Sequence, residues 1–79
     1  MEKDLIFERV NKVFQTVFDD ETISVNENTT SNDIEDWDSL EHISLIVAIE
    51  QEFNIKFSMG EVSNMKNVGE MVNIITSKM

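Results

Sequence analysis

The chain reads as an all-α domain, for three reasons. Proline is absent and only two glycines occur, Gly60 and Gly69, so the turn chemistry that an all-β fold requires is missing. Apolar residues recur at steps of three and four over long stretches, which is the period of a helix. Three patterns of a capping residue followed three positions later by Glu stand where helices would begin: Asp38 with Glu41, Ser58 with Glu61, and Asn67 with Glu70. The 79 residues make one domain, 1–79. Its core is small, so most apolar residues should already be committed to packing.

The first helix is expected from about Glu2 to Phe18, where Ile6, Val10, Val13, Phe14 and Val17 share one face. Asp19, Asp20 and Glu21 end it, since like charges at a helix C-terminus oppose the macrodipole. Residues 19–37 form a long connection rich in Asn, Thr and Ser, a functional or mobile loop pinned by Ile23, Val25 and Ile34. The second helix opens at Ser39 with Asp38 as its cap and ends near Phe53 or Asn54. A short third helix runs from Ser58 to about Met65. A fourth, carrying Val68, Met71, Val72 and Ile75, follows Asn67 to the C-terminus.

The formal net charge is −10, and no Lys or Arg stands between Lys12 and Lys56. A uniformly negative middle excludes a nucleic-acid backbone as partner, because phosphates need cations. It favours basic protein surfaces, approached faster through electrostatic steering. Cysteine is absent, which removes disulfides and thiolate metal sites. No signal peptide is apparent and no stretch approaches the ~20 apolar residues of a membrane span. The expectation is a soluble, cytoplasmic chain without membrane insertion.

The second helix carries more apolar surface than one packing face needs. On a helical wheel Leu45, Ile46, Ile49 and Phe53 fall together as a core face. Leu40, Ile43 and Val47 form a second stripe, offset by roughly a quarter to a third of a turn. Ser44 and Gln51 border it on one side and Glu50 on the other. Such a ridge either widens the buried arc of a central helix or docks on a partner, with charges setting orientation.

Ser39 sits at the first position of that helix, where backbone N–H groups lack intrahelical partners and the dipole favours an anion. A phosphate on its hydroxyl would be well placed, though serine is common near helix starts for capping reasons alone. Ser39 and His42, three apart, do not make a nucleophile and base. Asp38 is occupied as a cap, and no glycine stands near Ser39 to build a strained elbow. No catalytic residue is assigned. The carboxylates of Asp33, Glu35, Asp36 and Asp38 lack the glycine and terminal glutamate of a calcium loop, and no metal is expected.

Asp38-Ser39-Leu40 opening an apolar helix that ends in Glu50-Gln51-Glu52-Phe53-Asn54-Ile55 resembles the acyl carrier protein family, over nearly the whole chain. The resemblance implies a four-helix bundle, three main helices plus one short helix, with a long first loop. It implies a 4′-phosphopantetheine arm, taken from coenzyme A by a phosphopantetheinyl transferase and attached to Ser39 between Asp38 and Leu40. The arm's thiol would carry acyl groups as thioesters, which accounts for a chain without cysteine. It further implies that Glu41, Ile43, Val47 and Glu50, with Leu40 and Asp38, face partner enzymes with basic docking surfaces. The cargo chain would enter the bundle between its helices, which suits a soft core with Met59, Met65 and Met71. A monomer is expected.

The sequence departs from the family at three places. Ser44 and Gln51 stand where carriers of primary fatty-acid synthesis usually have carboxylates, and Trp37 replaces a small or aliphatic residue. These departures favour a dedicated carrier of a specialised pathway over a fatty acid biosynthesis carrier. A peptidyl or D-alanyl-type carrier loaded by an aminoacyl-activating enzyme shares the motif and stays open. So does an unmodified acidic interaction protein.

Overall fold

The computed structural model of the chain describes residues 2–79. Four helices follow in order: α1 Lys3–Val17, α2 Ser39–Phe53, α3 Met59–Ser63 and α4 Val68–Lys78. α1 packs against both α2 and α4 and is the spine of the bundle. Its Ile6, Val10, Val13 and Phe14 meet Leu45, Ile46, Ile49 and Phe53 of α2 and Val68, Met71, Val72 and Ile75 of α4 in one core. No helix of the described residues is long and apolar enough to cross a membrane.

Both long helices before the loops end by backbone geometry. Asp19 takes a left-handed φ of 50°, and the N–H groups of Asp19 and Asp20 reach back to the carbonyls of Thr16 and Gln15. That is a Schellman closure. α1 therefore ends through the short polar side chain of Asp19 tolerating this conformation, as well as through its charge. Asn54 does the same for α2 at φ 55°, with the Ile55 N–H on the Glu50 carbonyl.

The connection 18–38 is long but tied down. Asp20, Asn26, Thr29, Thr30 and Asp33 accept from N–H groups of their own turns, the hydrogen-bond habit that makes these residues loop formers. Asn11 of α1 accepts from the Val25 N–H at 2.8 Å, and Gln15 donates to the Ile23 carbonyl at 2.9 Å. The carbonyls of Thr29 and Glu27 accept the first two N–H groups of α4, from Val68 and Gly69. Ile23, Val25 and Ile34 pack on the core as pins. The expected alternative of a mobile loop does not fit a segment that caps a helix.

The three capping patterns behave differently. Ser58 and Glu61 form a complete reciprocal box. Asp38 accepts from the Glu41 N–H, but its own N–H is bonded to the Asp36 carbonyl, so Glu41 has nothing to return to. Asn67 accepts from the Glu70 N–H, while the Glu70 carboxylate reaches one residue further back, to the Lys66 N–H. This early start of the α4 cap takes up the Lys66 N–H. It leaves α3 ending at Ser63, two residues short of the expected Met65. α3 buries none of its residues. Met59 is 87% exposed rather than a core residue, whereas Met65 is half-buried and Met71 fully buried.

Candidate functional site

Asp38 positions the N-terminus of α2. Its side chain accepts from the Glu41 N–H at 2.8 Å and its carbonyl from the His42 N–H at 2.9 Å. Ser39 and Leu40, the next two residues, have N–H groups with no hydrogen bond among the described residues, as expected of a helix start. The Ser39 side chain is exposed and its hydroxyl is likewise unengaged. By contrast, the Ser58 hydroxyl caps α3 and the Ser77 hydroxyl donates to the Ile74 carbonyl. The site thus offers an accessible hydroxyl beside two free N–H donors at the positive end of a 15-residue helix. That donor set fits a phosphodiester anion.

Trp37, immediately before Asp38, is 9% exposed and belongs to the core. Its indole stands edge-on to the Phe14 ring at a centroid distance of 5.2 Å. Its Nε1–H donates to His42 Nδ1 at 3.1 Å, with the two rings stacked 5.9 Å apart. Because Nδ1 accepts, the imidazole proton is assigned to Nε2. Nε2 faces the Val62 carbonyl at 3.4 Å. Both ring nitrogens are thereby occupied, so His42 is no base for Ser39. The Trp37–His42–Val62 chain was not legible from the motif, where Trp37 stood only as a departure from the family. The signal available was an indole donor five residues before an imidazole.

The second apolar stripe of α2 faces solvent. Leu40, Ile43 and Val47 are 75, 57 and 47% exposed, while Leu45 and Ile49 on the core face are 0%. Glu41 is half-buried at the edge of this ridge, and its carboxylate makes no hydrogen bond or ion pair among the described residues. Glu50 differs, since its Oε2 accepts from the Phe57 N–H at 2.9 Å and holds the segment after α2. Ser44 and Gln51 are exposed. Among the described residues no three His, Asp or Glu side chains are grouped to hold a metal ion.

A shallow groove of about 470 Å³ opens beside Ser39 and Asp38, between α2 and the segment around α3. Comparison with known proteins accords with this arrangement. A family profile described as the phosphopantetheine attachment site matches residues 8–75. The acyl carrier protein of Petrotoga mobilis is 32% identical, over 100% of this chain and 93% of its own. That of Caulobacter vibrioides is 33% identical over 92% and 94%. The solution structure of a holo acyl carrier protein from Geobacter metallireducens superposes with a TM-score of 0.87 at 40% identity, covering 92% of this chain and 84% of that one. The chain belongs to the phosphopantetheine-attachment family of acyl carrier proteins. It is a carrier rather than a catalyst, holds its phosphopantetheine covalently, and interacts with a phosphopantetheinyl transferase and acyl-handling enzymes.

Proposed function

We propose that residues 1–79 form one carrier domain whose arm is attached at Ser39, and that it presents acyl thioesters to enzymes of a specialised pathway. The observation that carries the attachment is the free Ser39 hydroxyl beside the open Ser39 and Leu40 N–H groups. In the loading step the Ser39 oxygen bonds to the phosphorus on the pantetheine side of the coenzyme A diphosphate. The hydroxyl proton passes to a base on the transferase, and the diphosphate P–O bond breaks to release adenosine 3′,5′-bisphosphate. The bound arm supplies a thiol for thioester formation. Asp38 keeps the α2 N-terminus open by capping Glu41 rather than Ser39, and the helix dipole stabilises the diester by ~0.3–1 kcal/mol.

The exposed ridge of Leu40, Ile43 and Val47 is the docking face of a monomeric carrier, with Glu41 supplying charge at its rim for basic partner surfaces. Exposed Ser44 and Gln51 leave this face with fewer carboxylates than a primary fatty-acid carrier would have, which supports the specialised role.

Intact-mass measurement after incubation with coenzyme A and a broad-specificity phosphopantetheinyl transferase tests the attachment. One arm should be gained by the native chain and none by Ser39→Ala, with equal helical circular dichroism. A modified Ser39→Ala chain defeats the site assignment, and an unmodified native chain leaves the unmodified interaction protein. Cargo recovered from the native cell as an aminoacyl rather than an acyl thioester would favour the peptidyl or D-alanyl-type carrier.

A further inference from the structure

α1 and α2 run antiparallel, and a second groove opens between them on the flank of the exposed ridge. Val17 and Phe18 lie beside Asp38 and Glu41 at one end, and Arg9 reaches Glu52 at the other. The groove, about 330 Å³, has a floor of Val13, Val17 and Ala48. Gln51 is part of its α2 wall, and on the helical wheel it falls between Ala48 of the floor and exposed Val47 of the ridge. Groove and ridge therefore form one surface.

The charge on this flank changes sign along α2. Asp38 and Glu41 make its N-terminal end acidic. From Glu41 to Gln51 the helix rises about 15 Å. There two charged side chains line the groove, Lys12 and Glu52. Glu52 is neutralised by Arg9 at 2.7 Å. The Lys12 side chain is exposed, and its ammonium makes no hydrogen bond or ion pair among the described residues, with Glu8 one turn earlier or with any other group. Glu50 lies on the opposite edge of the ridge and is spent on the Phe57 N–H. Gln51 is neutral, whereas a carboxylate at that position would face Lys12 across the groove and cancel it. The uncompensated charge at this end is thus positive, in a chain of net charge −10.

We propose that the docking surface extends from the ridge of Leu40, Ile43 and Val47 across this groove, and that it fits an amphipathic helix of a partner enzyme, basic at the end meeting Glu41 and acidic at the end meeting Lys12. The inference rests on the ridge being the docking face. The partner's apolar stripe covers the ridge and the floor of the groove. Opposite charges at the two ends fix the direction in which its helix lies, which a uniformly acidic face does not. A helix basic throughout meets Lys12 as a like charge, so this one ammonium sorts the dedicated partner from other basic proteins.

The test uses two labelled helical peptides with the same leucine stripe and an Arg at one end. About 15 Å along the helix, one peptide carries Glu and the other Gln. Fluorescence anisotropy gives both Kd values at about 0.15 M salt, where the screening length of ~8 Å lets the two ends be read separately. The native chain should bind the Glu peptide about two- to fivefold more tightly, the range of an exposed ion pair. Net charge alone predicts the opposite order. Lys12→Glu should reverse the preference, and Gln51→Glu should abolish it and serves alone if the first variant does not fold. Lys3→Glu changes the net charge equally at the far end of α1 and should keep the native preference. A native chain that does not prefer the Glu peptide, or a variant at 12 or 51 that still does, overturns the role of Lys12. A reversal in Lys3→Glu overturns it too, in favour of net charge. Amide signals locate the peptide: those of Ile43 and Val47 report the ridge, those of Val13 and Gln51 the groove. Ridge signals that move while groove signals stay still leave the docking face standing and overturn its extension. Ridge signals unmoved by either peptide refute the docking face itself, and the inference falls with it.

Discussion

Trp37 donates its indole N–H to His42 Nδ1 at 3.1 Å, and this one bond joins the end of the long loop to the first turn of α2. It places an aromatic core residue two positions before Ser39. Trp37 is held in turn by Phe14 of α1 and approached by Phe18 at a centroid distance of 6.5 Å. The position of Ser39 is therefore fixed from the core outward.

Trp37→Phe should retain most of the ring burial and lose the donor, costing about 1 kcal/mol. Trp37→Ala should cost about 3–5 kcal/mol through the cavity it leaves. Total stability for a chain of this size is roughly 4–12 kcal/mol, so the alanine variant comes near the limit of folding and the phenylalanine variant does not. Urea titrations give both values. Equal losses would mean that the indole N–H, rather than the packed ring, carries the stability.

The helices were largely legible because their signals are local. Asp38, Ser58 and Asn67 announce helix starts through side-chain oxygens that accept from residues three positions on, and all three do so. The two faces of α2 also followed from spacing, since burial separates Leu45 and Ile49 from Leu40 and Ile43 as the wheel requires. What escaped the sequence depends on groups far apart in the chain. Nothing near Thr29 says that its carbonyl caps α4 through Val68, and nothing near Glu50 says that its carboxylate is spent on Phe57. The left-handed Asp19 was hidden for another reason, because aspartate adopts that conformation too seldom to be read from one position.

The two acids expected on the docking face should separate by experiment. Glu41→Lys removes a carboxylate that no other group uses, so it should slow association with a basic partner and leave the melting temperature nearly unchanged. Glu50→Lys also strips the acceptor from the Phe57 N–H, and should lower stability by about 1–3 kcal/mol as well. Association rates at low ionic strength, paired with thermal melts, decide it. If Glu50→Lys leaves the melt unchanged, its carboxylate is not holding the turn after α2.

The two glycines should respond oppositely to alanine. At Gly69 a Cβ would stand 2.7 Å from the Glu27 carbonyl oxygen, the same oxygen that accepts the Gly69 N–H. Loop and helix would have to separate, for a loss of about 1–3 kcal/mol. At Gly60, within α3, a Cβ meets nothing within 4 Å. Gly60→Ala should stabilise by up to ~1 kcal/mol through helix propensity. Melting temperatures falling for Gly69→Ala and rising for Gly60→Ala are expected. A tolerated alanine at 69 would show that the loop's carbonyl caps are dispensable.

Acid should loosen α3 before the rest of the bundle. Glu61 accepts from the Ser58 N–H and pairs with Lys78, and the two together hold its carboxyl below the ordinary glutamate value of 4.5. A depressed carboxylate stabilises fully above its unfolded value and loses that contribution as pH falls through the folded one. Amide exchange across Met59–Ser63 should therefore accelerate as pH drops below 4.5, after correction for intrinsic rates, and Glu61→Gln should remove the dependence. Dilute samples are needed because the isoelectric point is near 4.2. Uniform acceleration along the chain would point to global unfolding instead of release of α3.

Salt should raise the melting temperature. The molecule measures 29 × 25 × 22 Å and carries a formal net charge of −10. At about 0.01 M salt the screening length is ~30 Å, so every carboxylate feels every other; at about 0.1 M it is ~10 Å and only neighbours interact. Unfolding spreads the same charges apart, so repulsion burdens the folded state more and its removal favours folding. Among the described residues two ion pairs oppose this, Arg9 with Glu52 at 2.7 Å and Lys78 with Glu61 at 2.9 Å. Their side chains are about a third exposed, and such pairs are worth about 0–1 kcal/mol each before screening. Arg9 also lies over the Phe53 ring at 4.8 Å and donates to the Glu52 carbonyl, contacts that salt weakens less. Repulsion spread over an acidic stretch with no Lys or Arg between Lys12 and Lys56 therefore outweighs what the pairs lose. Circular dichroism melts across a salt series at constant pH measure the balance. A flat or falling melting temperature would show that the two ion pairs, and not charge repulsion, dominate the electrostatics of this fold.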